Sequence, residues 1–398
     1  MQKKNKFSWD IKLLLIFQSL HRISDLFCMT FLVSFLVQNS THEILSVSLY
    51  NFFFYAVSIL GFFAIADWVK RHNKVAIFRF HLIPKILLFS AIIFMSGSIV
   101  EHVVLLGTLY GLACAFFWLP IHLMIGEKVA PNIMPAYSGY SNALGGITKI
   151  LTPVLLGIFI TTSSYEQVAV VLLGLCVIEF GLSFFIKPSM HRSKKKLDIV
   201  GFFKCMMRFP IIRKLFWVEM LRGFSVSGAL GAVIVMYTVY MFKTDLNLGI
   251  FTTIFSIFSV ITSLLFGRFV TKKMFPGILF SSVLASTLTL GLFMFYTTPV
   301  TFLMYNFIYV TGISLLLHVS EVNMYNLSNS KCVTREHKTE YFVFREAALV
   351  TGRLVGFVAL MYLAVFGGYE YLRYFLGLFT ITIILLGYYS IKISNHLK

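Results

Sequence analysis

Twelve apolar stretches recur along this chain, each about as long as a bilayer crossing. A hydrocarbon core of about 30 Å and a rise of about 1.5 Å per residue require roughly 20 mainly apolar residues per helical span. The stretches lie near residues 11–37, 45–69, 76–98, 102–126, 136–160, 166–186, 211–241, 249–270, 274–296, 299–322, 339–366 and 371–392. Only 13% of the 398 residues are charged and 58% are hydrophobic, too little polar surface for a soluble protein of this size. The expectation is an all-α membrane protein with twelve transmembrane helices. The first stretch is too long and too interrupted by charge for a cleavable signal peptide, and no small-residue cleavage site follows it.

A formal net charge of +18 raises the question of nucleic acid, and the placement of the charge answers it. Lys3, Lys4 and Lys6 precede the first stretch, Lys70, Arg71 and Lys74 follow the second, and Arg268, Lys272 and Lys273 follow the eighth. Lys187, Arg192, Lys194, Lys195, Lys196, Lys204 and Arg208 fall between the sixth and seventh, and Lys331, Arg335 and Lys338 after the tenth. The alternate loops hold only Lys243 and Arg373. This is the positive-inside asymmetry, which puts both termini in the cytoplasm, with the lipid bilayer rather than nucleic acid as the chain's environment, and the expected location is a plasma membrane. A monomer is expected.

Cys28, Cys114 and Cys176 lie inside apolar stretches, and Cys205 and Cys332 in cytoplasmic segments. None has a CxxC partner, so neither a disulfide framework nor a metal site is expected, and no cofactor is implied. Asn39-Ser40-Thr41 forms a glycosylation sequon in the first outer loop, a pattern short enough to arise by chance.

The chain also repeats itself. With a shift of 200 residues, "LIFQSLHR" lies over "LFWVEMLR", matching Leu15 with Leu215 and Arg22 with Arg222. With a shift of 204, "YSGYSNALGGITK" lies over "YFVFREAALVTGR", matching Tyr137 with Tyr341, Ala143 with Ala347 and Lys149 with Arg353. The expected organisation is a six-helix bundle over 1–186, a basic linker with an amphipathic helix over 187–210, and a second six-helix bundle over 211–398.

Twelve helices, a two-fold repeat, a long cytoplasmic linker and basic loops after the second and eighth helices resemble the major facilitator superfamily over essentially the whole chain. The loop after the second helix in that family reads approximately Gly-x-x-x-Asp-x-x-Gly-Arg-Lys. "GFFAIADWVKRHNK" keeps a glycine, Asp67 and the basic cluster with Arg71, but has a longer spacing and lacks the second glycine, and "FGRFVTKKM" is its counterpart after the eighth helix. The eleventh stretch, "EYFVFREAALVTGRLVGF", also looks like bacterial members of that superfamily. The resemblance implies two pseudo-symmetric bundles and a secondary transporter of small molecules, with a central site lined by the first, fifth, seventh and eleventh helices.

Several ionisable residues fall near the middle of their stretches: His21, Arg22, Asp25, Lys149, Glu179, Glu219, Arg222 and Arg353. Each costs about 2.5–3.5 kcal/mol at the centre of a bilayer, so they are expected to face inward. Two readings are open. Arg22 and Asp25, and Glu219 and Arg222, could neutralise each other locally at i,i+3. Against this stands the recurrence of Arg22 at Arg222 and of Lys149 at Arg353, which a local pair does not require. In the second reading these four bases bind an anionic group, bidentately where two arginines can grip it, and a pair of arginines on the first and seventh helices is similar to the site of organophosphate:phosphate antiporters. Asp25 and His21, with Glu219 and Glu179, are the candidates for coupling to protons, Glu179 serving more as a supporting contact.

Gate residues are sought where helices end: Asp67, Arg71, Glu127, Arg345, Glu346, His318 and Glu321, the last five having snorkelling at the membrane surface as their alternative. Lys85, just after Pro84, is expected to snorkel. Glycines in "GLACAFF", "ALGGITK" and "GFSVSGALGA" let helices pack closely or rock. No GxSxG, HExxH or P-loop is present, which argues against an enzyme, and no filter-like loop suggests a channel. The leading expectation is an ion-coupled carrier of a small organic or phosphorylated anion working by alternating access. The alternatives are a proton-driven exporter of amphipathic or lipid-linked compounds and a sensor that transports nothing.

Overall fold

The computed structural model describes residues 7–129, 133–188, 197–226, 228–328, 338–367 and 369–396. Twelve of its helices are long and apolar enough to cross a membrane. They are α1 (Trp9–Asn39), α2 (Glu43–Arg71), α3 (Lys74–Phe94), α4 (Val103–Lys128), α5 (Met134–Thr162), α6 (Tyr165–Ser183), α7 (Pro210–Phe242), α8 (Asp245–Phe269), α9 (Phe275–Phe295), α10 (Pro299–Ser328), α11 (Lys338–Phe366) and α12 (Tyr369–His396). No strand occurs among the described residues, so the all-α architecture expected from the apolar stretches is what the chain adopts. A short helix, Ile199–Met206, precedes α7 and is capped by Asp198, whose carboxylate accepts from the Gly201 N–H at 2.8 Å.

Three helices depart from regularity for readable reasons. Pro84 has no N–H to offer the Phe80 carbonyl, so α3 bends there and the Ile83 N–H takes that carbonyl instead, at 3.3 Å. α1 contains a π-helical turn at Phe27–Phe31, directly after Asp25, a kind of insertion that is frequent at functional sites. α7 consists of Pro210–Ser225 and Ala229–Phe242, interrupted next to Gly228.

The chain forms two compact units. Unit 1 comprises Met1–Ser40, Phe53–Leu197 and Phe242–Thr253, and unit 2 comprises Thr41–Phe52, Asp198–Met241 and Ile254–Lys398. Unit 1 thus includes the first turns of α8, where the Asp245 carboxylate accepts from Ser34 Oγ at 2.6 Å and Gln38 Nε2 at 3.2 Å.

Within unit 1 the helices bury one stripe each. On α6 the buried positions are Val168, Ala169, Leu172, Cys176, Glu179 and Ser183, while Val170, Val171, Val177, Ile178 and Phe180 are exposed. On α3, Phe78, His81, Leu82, Lys85, Phe89 and Ile92 are buried, and Ile83, Leu87 and Phe94 are exposed. On α4, Tyr110, Cys114, Phe117 and Ile121 share a buried face. On α3 and α6 these exposed side chains are all apolar, while His81, Lys85 and Glu179 lie on the buried stripes among apolar neighbours, the arrangement that a lipid solvent selects. The core of unit 2 gathers Leu215, Val218 and Leu221 of α7 with Phe275, Leu279, Leu316, Tyr341 and Phe344.

Glycine sets the closest helix contacts in each unit. A Cβ on Gly111 of α4 would stand 2.5 Å from the Phe54 carbonyl of α2. In unit 2, Gly223 of α7 lies against the Leu349 carbonyl of α11, and Gly352 of α11 against the Met220 carbonyl of α7. Backbone cannot move aside as a side chain can, so Gly223→Ala and Gly352→Ala are each expected to cost about 1–3 kcal/mol. Thermal unfolding in detergent should show a lower midpoint for both, and no loss for Gly174→Ala, where a Cβ meets nothing within 4 Å.

Candidate functional site

The polar side chains of unit 1 converge from four helices. α1 contributes His21 and Asp25 one turn apart, α4 contributes Tyr110 and Cys114, α3 contributes His81 and Lys85, and α6 contributes Glu179. His21 is fully buried, while the Asp25 side chain keeps 29% of its surface exposed. Asp25 accepts a hydrogen bond from the Tyr110 hydroxyl, and its Oδ1 lies 3.4 Å from His21 Nε2. Cys114 Sγ is 3.9 Å from the same nitrogen. The His21 ring stacks on Phe117, with centroids 3.6 Å apart and planes 10° from parallel, and meets the edge of Trp118. Packing therefore fixes the plane of the imidazole.

Phe117 also meets His81, with centroids 5.2 Å apart and planes at 73°. His81 Nδ1 is 2.5 Å from the Phe78 carbonyl, which can only accept, so this nitrogen carries a proton, and Nε2 lies 3.4 Å from Glu179 Oε2. Lys85 Nζ donates to both oxygens of Glu179, at 3.0 and 2.9 Å. All three side chains are buried. Lys85 and Glu179 are close enough to Asp25 to act on it electrostatically, so the two groups form one polar core. The snorkelling expected for Lys85 does not occur, because α3 turns that side chain onto its buried stripe.

Arg22 points away from this core, toward α5. Its Nη1 donates to the Ser141 carbonyl at 2.9 Å and its Nη2 to Ser141 Oγ at 3.3 Å. Ser141 and Tyr137 hydroxyls in turn donate to Gln18 Oε1, at 3.0 and 3.2 Å. A Cβ on Gly145 would lie 2.5 Å from Arg22 Nη1, so glycine there makes room for the guanidinium. Among the described residues no carboxylate pairs with Arg22, and the local Arg22–Asp25 pair is not formed. Lys149 lies one turn beyond Gly145 on α5 and is exposed.

Unit 2 carries its own cluster. The buried Glu219 carboxylate lies 3.5 Å from Arg222 and 3.6 Å from Arg345, which also pairs with Glu346 at 3.2 Å. Here the i,i+3 pair is formed, but shared with a second arginine. Arg353 of α11 packs its stem against Gly228, with Cγ 3.1 Å from where a Cβ would stand. Of the remaining gate residues, Asp67 pairs with Arg71 and accepts from the Leu197 N–H at 3.3 Å, and Glu127 pairs with Lys74 at 2.7 Å. His318 Nε2 lies 2.8 Å from Ser263 Oγ. The side chain of Glu321 falls outside the described residues.

A family model described as the Major Facilitator Superfamily matches residues 14–331. The chain belongs to the major facilitator superfamily. A relative described as the uncharacterised protein YqgE of Bacillus subtilis (strain 168) is 22% identical over 327 residues, which span 80% of this chain and 74% of that protein. A bacterial homologue of the iron transporter ferroportin, in its outward-facing state, superposes with a TM-score of 0.69 at 15% identity, over 98% of this chain and 100% of its own. The D-xylose–proton symporter gives 0.69 at 12% identity, over 97% of both chains. At such identities the likeness is one of fold. Members of the superfamily are multi-pass membrane transporters of small molecules, and the twelve helices place this chain among them.

Sequence reasoning named Cys114 only as a thiol inside an apolar stretch and did not single out Tyr110 or His81, which are ordinary residues there until α1, α3 and α4 pack. The signal that was available is spacing, since Tyr110, Cys114 and Phe117 follow a single helical stripe, as do Phe78, His81, Lys85 and Phe89. Removing one partner of a buried pair leaves an uncompensated charge, at a cost of about 3–5 kcal/mol. Lys85→Met and Glu179→Leu should each lower the thermal midpoint strongly. The double variant should recover most of the loss, a coupling that a double-mutant cycle in detergent measures directly.

Proposed function

We propose that the chain is a secondary active transporter working by alternating access, in which the Asp25–His21 pair holds the coupled cation and Arg22 engages an anionic group on the cargo. The observation that carries this reading is how α1 divides its polar residues. Consecutive positions send His21 and Asp25 toward α4, with Tyr110 and Cys114, and Arg22 toward α5, with only neutral partners. A partly exposed carboxylate whose contacts are a hydroxyl and an imidazole can take up or release a cation without breaking a fixed ion pair. A guanidinium with no contacting carboxylate keeps its charge available to an anion.

The Glu219, Arg222, Arg345 and Glu346 cluster of unit 2 sets two bases against two acids, and Arg353 of α11, its stem against Gly228, adds a further base to that unit, which also favours an anionic group. Lys149, one turn from Gly145, adds to the positive character of the α5 face. Asp67–Arg71 at the end of α2, and Glu127–Lys74 between the ends of α4 and α3, are then ion pairs of unit 1 that serve the gating the sequence suggests. The organisation is two six-helix halves, 1–186 and 211–398, joined by the linker 187–210, in a plasma membrane with both termini in the cytoplasm, as the charge asymmetry favours. On the same fold, one structural neighbour is described as an iron transporter homologue and another as a sugar–proton symporter.

Reconstituted protein in liposomes loaded with a pH-sensitive dye tests the reading against phosphorylated, carboxylated and cationic amphipathic compounds. An anion that stabilises the purified protein should also drive proton movement. Arg22→Gln should abolish the stabilisation, whereas Asp25→Asn should retain it and lose the proton movement. Wild-type behaviour in both variants would contradict the assignment, and stabilisation only by cationic amphipaths would favour the exporter.

A further inference from the structure

His21 and Asp25 lie one turn apart on α1, and α4 brings a thiol against them. His21 Nε2 is 3.4 Å from Asp25 Oδ1 and 3.9 Å from Cys114 Sγ. The three donor atoms all lie within 4.8 Å of one another. A tetrahedral ion with bonds of about 2.0–2.3 Å holds its donors roughly 3.3–3.7 Å apart, so small side-chain adjustments would close the three around one ion.

We infer that His21, Asp25 and Cys114 form a binding site for a divalent transition-metal ion inside unit 1. The inference rests on the reading of Asp25 and His21 as the cation site, and adds a metal ion that takes the same donors in place of the proton. Imidazole nitrogen, carboxylate oxygen and thiolate sulfur together suit ions of borderline softness such as Fe²⁺, Co²⁺ or Zn²⁺, whereas Mg²⁺ and Ca²⁺ require oxygen donors. Charge points the same way. A thiolate and a carboxylate offset two positive charges, so the loaded site is neutral, as burial within a membrane bundle demands.

The surroundings orient the donors. The Tyr110 hydroxyl donates to Asp25, an outer contact of the kind that positions metal-ligating carboxylates. Stacking on Phe117 holds the His21 ring with Nε2 toward Asp25 and Cys114, a task that a hydrogen bond at Nδ1 would otherwise perform. Asp25 keeps 29% of its surface exposed, which leaves a way in and room for a fourth ligand. Two bases act on this site: Lys85 is matched by its bidentate contact with Glu179, and Arg22 is directed to α5.

The test uses the full-length protein in detergent, reduced and freed of metal, and titrated with Co²⁺. Thiolate ligation gives a sulfur-to-cobalt charge-transfer band in the near ultraviolet. One equivalent of Co²⁺ should produce the band, Zn²⁺ should displace it and Mg²⁺ should not. Cys114→Ser should lose it, Cys28→Ser and Cys176→Ser should keep it, and Asp25→Asn should weaken Co²⁺ binding about tenfold or more. The metal-free thermal midpoint and elution profile of Cys114→Ser establish that it is folded. Should that variant not fold, His21→Gln carries the test, because loss of the imidazole must shift the visible cobalt bands. No band in the wild type, a band that survives Cys114→Ser, or visible bands that His21→Gln leaves unmoved overturns the inference. If the band is found but no ion-coupled transport occurs in liposomes, the metal site stands and the proposed function falls. Proton-coupled transport without the band overturns only the metal site.

Discussion

A bilayer offers no water to a buried polar group, and that constraint organises this molecule. Each charge within a span must find a partner inside its bundle or give up its hydration unrewarded. The consequence is visible along α3, where His81 and Lys85 share a buried stripe with Phe78 and Phe89 while Ile83 and Leu87 face outward. Lys85 is held there by both oxygens of Glu179, and that contact gathers α3 and α6 around a single charge pair. Phe117, stacked on His21 and in T-shaped contact with His81, joins the pair to the second polar group.

From that frame the functional asymmetry of α1 follows. Helical geometry sends adjacent residues about 100° apart, so "HRISD" cannot present all of its polar groups to one neighbour. His21 and Asp25 share the α4 side, and Arg22 is left for α5, where Gly145 is small enough to receive it. The π-helical turn that follows Asp25 marks the same place in the backbone. Unit 2 uses a different solution at the position that repeats Arg22: Arg222 is paired with Glu219, and Arg345 joins them. The two sequence repeats therefore hold equivalent arginines in unlike electrostatic settings.

The fold was legible because hydropathy over about 20 residues is a strong and local signal. Asp25 and His21 were legible for the same reason, as polar residues in the middle of an apolar run. Their partners were not. Cys114 and Tyr110 lie about ninety positions away in sequence, and a thiol in an apolar helix reads as packing until another helix brings an imidazole to it. Lys85 misled in the opposite direction: next to Pro84 it resembles a residue able to reach a membrane surface, but the bend at Phe80 and the stripe on α3 turn it inward. Glu179 stood among the proton-coupling candidates with a supporting contact as the favoured role, and the partners it has, Lys85 and His81, were not read from the sequence.

The central claim is that the polar core around Asp25 is a working site and not a closed structural knot. Thiol accessibility of Cys114 tests it most directly, in a protein whose Cys28, Cys176, Cys205 and Cys332 are replaced by serine and which is held in membrane vesicles of each orientation. Alternating access predicts that a small water-soluble thiol reagent modifies Cys114 from both faces of the membrane. If the reagent reaches Cys114 from neither face, yet reacts fully once the protein is unfolded, the core is sealed and the account is wrong.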